Sequence, residues 1–167
     1  MGNQTQVTKL TIVAKDDPGH QVEAQYNPKE LAANKKVPWT RVKSDKSDSP
    51  AQEFSNAEPE TLQFELLFDT FEKKTDVYAT HVAGLKAMCQ IPRGKSGADK
   101  HPPRVMVIWG RKDFLQFEGV ITSLATKYTM FLPDGTPVRA TVTISITASK
   151  KATAKVPKKK KKKKTTT

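Results

Sequence analysis

The segment from His101 to Ile146 does most to constrain what this chain can fold into. Pro102 and Pro103 bar helix and ladder just ahead of it, because proline fixes φ and lacks a backbone donor. Arg104 to Trp109 is then a mostly apolar run of strand length (Val105, Met106, Val107, Ile108, Trp109). Gly110, Arg111, Lys112 and Asp113 form a polar turn, and strand pattern resumes from Phe114 to Ser123. Phe117 cannot share a face with both Phe114 and Val120, since strand side chains alternate with a period of two. That mismatch predicts a bulge or a strand buried on both sides. Tyr128 to Leu132 leads into Pro133-Asp134-Gly135-Thr136, whose proline, aspartate and glycine suit a tight hairpin turn. Val138, Ala140, Val142, Ile144 and Ile146 then line one face, with Arg139, Thr141, Thr143, Ser145 and Thr147 on the other. The segment is an antiparallel meander.

The preceding chain supplies further strands and one helix. Val7 to Ala14 reads as a strand, with Leu10 and Ile12 on one face, and Asp16-Asp17-Pro18-Gly19 turns it back into His20 to Tyr26. Asn27-Pro28 ends that return, and Lys29 to Asn34 has room for a single helical turn. From Lys35 to Glu60 the chain is polar and charged, with Val37, Trp39, Val42 and Phe54 as its apolar anchors. A structureless connection of that length inside a compact domain is commonly functional. A free loop has little reason to carry Trp39, so residues 35–60 are expected to be an extended arm that orders against a partner. Thr61 to Phe68 resumes strand pattern. A helix is predicted from Thr75 or Asp76 to Met88, where Val77, Val82, Leu85 and Met88, with Tyr78 and His81, form one stripe. The expected class is mainly β with one α-helix.

The net charge of +12 points toward nucleic acid until it is located. Lys150, Lys151, Lys155 and the run Lys158, Lys159, Lys160, Lys161, Lys162, Lys163 and Lys164 hold ten of these charges, which leaves +2 for residues 1–149. Residues 1–149 are therefore expected to be one domain without a basic face, and 150–167 a disordered tail. Any attraction to nucleic acid or an anionic surface is expected through this tail alone. The single cysteine, Cys89, supplies neither a disulfide nor a zinc set. His20, His81 and His101 have no ligand spacing, and Gly94-Lys95-Ser96 lacks both the first glycine and the preceding strand of a phosphate loop. No enzyme chemistry, cofactor or metal is predicted. The sequence has no apolar stretch of membrane-span length and no signal-peptide core at its start, which gives an expectation of cytoplasmic residence.

Six motifs in order carry a family resemblance. They are Tyr26-Asn27-Pro28-Lys29-Glu30-Leu31; Leu62 to Thr70 followed by a helix; His101-Pro102-Pro103-Arg104-Val105 running into Ile108-Trp109-Gly110; Phe117-Glu118-Gly119-Val120-Ile121; Tyr128-Thr129-Met130-Phe131; and Asp134 to Ala140. Together they resemble the N-terminal domain of the tube or baseplate-adaptor proteins of contractile injection systems, over roughly residues 7–149. The resemblance implies two antiparallel sheets closing toward a small barrel, with one helix at the side. It also implies six copies in a ring around a channel, placed between the spike and the inner tube. Spike or hub, tube and baseplate proteins of the same particle would then be the partners, with assembly in the cytoplasm.

In that setting the arm, through Val37, Trp39, Val42 and Phe54, would reach the next ring. Edge strands carrying Leu10 and Ile12, or Arg139, Thr141 and Thr143, would pair between subunits. Longer relatives carry a LysM module where this chain has its lysine tail. Two rival readings are a small nucleic-acid-binding β-barrel using the basic tail and a soluble ligand-binding barrel. Neither finds support in the near-neutral folded part, which has no interleaved aromatic and basic run and no convergent polar set.

Overall fold

The structure, a computed structural model, describes residues 7–17, 19–42, 51–54, 56–110 and 114–150. Its strands are β1 (Thr11–Ala14), β2 (Gln21–Glu23), β3 (Leu31–Asn34), β4 (Trp39–Val42), β5 (Ala51–Phe54), β6 (Thr61–Asp69), β7 (Val105–Trp109), β8 (Leu115–Phe131) and β9 (Pro137–Ala148). Seven form one antiparallel sheet in the order β2-β1-β7-β8-β9-β6-β3, and β4 and β5 form a separate hairpin. Among the described residues the fold is mainly β with one α-helix, as the residues predicted, and has two antiparallel sheets, as the resemblance implied. The large sheet does not close into a barrel by a strand ladder.

Alternation builds the core. In β6, Leu62, Phe64, Leu66 and Phe68 are buried, and each stands opposite a buried residue of β9: Ile146, Ile144, Val142 and Ala140. Ile12 and Ala14 of β1 likewise face Val107 and Val105 of β7. Each large side chain so buried contributes about 1.5–3 kcal/mol relative to exposure. The helical segment opens as one π-helical turn, Tyr78–Val82, and continues as α1, Ala83–Ala87. Asp76 caps its start by accepting from the Tyr78 N–H at 2.8 Å. Val77, Val82, Leu85 and Met88 are all fully buried against the sheet. The predicted helix is present and these four members of its stripe are buried, whereas Tyr78, placed on the same stripe from sequence, is exposed.

The meander has three strands, and β8 runs 17 residues without a break where two shorter strands were expected. The stretch from Leu124 to Lys127 is polar outside, but it holds no turn residue, so nothing stops the strand. Leu115, Phe117 and Ile121 pack on the core from odd positions, whereas Leu124 and Tyr128 do so from even ones. The switch occurs at a bulge between Ile121 and Ser123. The Phe117 mismatch has a different origin, since Phe114 is exposed and precedes β8 and Val120 faces away from Phe117. β8 also joins the two halves of the sheet. Leu115 to Gly119 pair with β7, and Gly119 to Phe131 pair with β9. The β9 end of the meander is turned at Gly135, whose φ of +86° suits glycine, with Asp134 Oδ1 accepting from the Thr136 N–H at 2.9 Å.

The motif around Asn27 ties strand ends together. Asn27 Oδ1 accepts from the Leu10 N–H at 2.9 Å, and its Nδ2 donates to the Thr8 carbonyl at 2.9 Å. Gln25 does the same for β6: its Nε2 donates to the Asp69 carbonyl at 2.7 Å, and its Oε1 accepts from the Asp69 N–H at 2.8 Å. This side-chain amide stands in for one ladder rung between the two halves of the sheet. Gln25→Ala leaves both backbone groups of Asp69 without these partners. A loss of about 1–3 kcal/mol in urea-unfolding free energy is the expected result. The segment expected as a helical turn after Pro28 is instead β3, which pairs Leu31 with Phe64 and Asn34 with Thr61. Leu31 packs on the core from that extended position, and tertiary pairing overrides the weak local helix preference.

Candidate assembly surfaces

The described parts of the arm form a hairpin rather than an extended strand. Trp39 pairs with Phe54 and Val42 with Ala51, and at the base the Glu58 N–H donates to the Lys36 carbonyl at 3.3 Å. The Trp39 and Phe54 rings meet edge to face with centroids 5.5 Å apart. Their relative exposures are 59% and 53%, and neither belongs to the core. Directly opposed strand residues share a face, so Trp39, Phe54 and Arg41 lie on one side and Val42 on the other. Val37 is exposed ahead of the strand. The four anchors predicted in the arm are thus all solvent-facing, but they do not form one patch.

The strands expected at the sheet edges are interior. β1 lies between β2 and β7, and β9 lies between β8 and β6. Leu10 and Ile12 are fully buried in the core. Arg139 is committed within the chain, with its Nε and Nη2 donating to Asp69 Oδ2 at 2.9 and 2.6 Å. Thr141 and Thr143 point to the outer face of β9, a central position that cannot add a strand. Sequence alternation identified the faces correctly but carried no information on strand order. Among the described residues the large sheet ends in the short strands β2 and β3.

Beside β3 the outer surface is grooved. A cleft of about 920 Å³ runs between the strap Tyr26–Ala32 and the outward residues of β6 and β9, among them Glu65, Leu67, Thr141 and Thr143. Leu67 is 41% exposed and Tyr26 50%, so the cleft has apolar walls open to solvent. Along β6, β9 and β8 the rest of this face carries short polar groups, including Gln63, Ser145, Thr147 and Ser123.

A family model described as contractile injection system tube protein matches residues 6–157. The chain belongs to that family. The cryo-EM structure of the anti-feeding prophage baseplate, six-fold symmetrised, contains a chain similar to this one. The two share 9% identity with a TM-score of 0.42, over 89% of this chain and 93% of that one. No curated protein matches.

Elsewhere in this tube-family chain polar side chains make packing contacts and ion pairs within the fold. Among the described residues no three His, Cys, Asp or Glu side chains gather as a metal site, and no helix is long and apolar enough to cross a membrane. His81 stacks on Phe68 with centroids 4.6 Å apart, and burial, with Lys73 nearby, lowers its pKa. Burial pushes the Cys89 thiol up, and its Sγ lies 3.5 Å from the Leu85 carbonyl. The lysines predicted as a tail, Lys158 to Lys164, lie outside the described residues.

The densest polar cluster sits where β9 ends. Arg104 grips Asp16 with two side-chain bonds, at 3.0 and 2.7 Å, and donates to Glu118 at 3.0 Å. Lys15 reaches the other oxygen of Glu118 at 2.9 Å. The Arg104 side chain holds the Asp16 carboxyl at about 2, against an ordinary value of 3.8, with its own N–H adding a further bond. A depressed carboxylate stabilises the fold fully above the unfolded value, and this contribution fades as pH falls from about 4 to about 2. The expected contribution is on the order of 1–2 kcal/mol, reduced from the raw shift because the side chain is 28% exposed. Unfolding midpoints of the protein and Asp16→Asn should therefore differ at pH 7 and converge near pH 2. A gap unchanged across that range would contradict the assignment.

Proposed function

We propose that this chain is a structural subunit that assembles as a six-membered ring of the inner tube or baseplate hub and joins the spike to the tube. It works by shape and contact, without catalysis, as a tube initiator or adaptor. The observation that carries this reading is the β4–β5 hairpin, whose exposed Trp39 and Phe54 stand clear of the core. An isolated two-stranded hairpin is only marginally stable in water, so a covering partner gives it a reason to be ordered.

The test is negative-stain microscopy with native mass on the full chain, alone and co-expressed with the spike and tube proteins of the same particle. Rings with a central hole, by themselves or at the spike–tube junction, are expected. A chain that stays monomeric at high concentration and joins neither partner would sink the reading.

A further inference from the structure

We propose that the aromatic face of the β4–β5 hairpin of one copy seats in the groove between the Tyr26–Ala32 strap and the outer face of β6 on a second copy. Arg41 of the hairpin then meets Glu65 in the groove. This rests on the ring reading above and names the acceptor of the arm.

Three observations carry it. First, donor and acceptor match in kind. Trp39 and Phe54 expose two rings side by side, and the groove of about 920 Å³ offers Tyr26, Pro28 and Leu67 with room for them. Volumes of roughly 300–1,000 Å³ are those that enclose ligand-sized apolar groups. Second, the charges complement one another. Arg41 shares a face with Trp39 by strand alternation, and Glu65 lies in the groove beside Leu67. Both are exposed, and neither has an ion pair among the described residues.

Third, the hairpin does not occupy the groove of its own chain. β3 runs from Leu31, opposite Phe64, to Asn34, opposite Thr61. The groove is lined by Ala32 and the strap before it, whereas the hairpin follows the Asn34 end, and its Trp39 and Phe54 stay exposed and line no part of the groove. Within one copy the aromatic face and the groove are therefore separate surfaces. A patch that fits a different patch on the next copy is a heterologous contact, the kind that closes into rings or propagates along a filament.

The experiment uses the full chain, with a photo-crosslinking phenylalanine at position 39 and, separately, Arg41→Glu, Glu65→Arg and the double exchange. It is run on the self-assembled protein, or on the assembly with spike and tube proteins if that is where the chain associates. Cross-links from position 39 to peptides holding residues 26–32 or 63–67 of another copy are expected. Each single reversal should weaken association about tenfold or more, and the double exchange should restore it. Cross-links between copies that land elsewhere overturn the groove as acceptor and leave the ring standing. Single reversals that do not change association do the same. A chain that joins no copy and no partner overturns both.

Discussion

Replacing Trp39 and Phe54 together by serine is expected to abolish ring assembly while shifting the thermal midpoint of the subunit by less than about 2 °C. The two effects separate because the residues contribute to different states. Within its own chain the pair makes one edge-to-face contact, worth about 0.5–1.5 kcal/mol, on a hairpin outside the core. Loss of that contact loosens the hairpin and exposes nothing from the sheet. At an interface, two large aromatics that become fully buried are the type of anchor whose truncation costs about 2 kcal/mol or more each. A ring closed by repeated identical contacts loses that amount at every junction. Size-exclusion chromatography with native mass gives the first quantity and scanning calorimetry the second. A drop of more than about 5 °C with assembly intact would show instead that the aromatics serve their own subunit.

The separability of arm and core was partly legible in the sequence. Trp39 in a polar, proline-flanked stretch signals a surface residue with a job, because apolar side chains without a partner are costly to display. What the stretch did not reveal is the Trp39–Phe54 pairing, since fourteen intervening residues of mixed polarity carry no hairpin register. The alternating faces of β6 and β9 and the stripe of the helix were readable because burial on one side imposes a period on the residues. Strand order is set by which apolar faces meet in three dimensions, and no local pattern records it. That is why the predicted edges at Leu10, Ile12, Arg139, Thr141 and Thr143 proved interior. The Gln25 and Asn27 links were missed for a related reason: an amide side chain that replaces a ladder rung looks the same in sequence as one in solvent.

The largest expected loss of stability from one substitution belongs to Gly119→Val, at about 3 kcal/mol or more. Gly119 is where the sheet changes partners, pairing with Val105 on one side and Ala148 on the other. Its backbone is not left-handed, so conformational freedom is not what the site requires. Close approach is. A Cβ built there would run into the Thr147 carbonyl oxygen and would come within 2.9 Å of the Ile146 side chain. The carbonyl belongs to a strand held on both sides by ladders, so it cannot retreat without breaking pairs to β6 or β8. Ile146 is fully buried and has no free space to rotate into. Even Gly119→Ala meets the same oxygen, and a cost of about 2 kcal/mol is expected for it. Valine adds two methyl groups in a packed core and so costs more. The check is the urea midpoint of both variants, with far-ultraviolet dichroism to confirm that β structure survives in the alanine form. Midpoints near that of the parent protein would mean that β8 does not pass so close to β9. The change of partner from β7 to β9 at Gly119 would then be looser than the two ladders that meet there require.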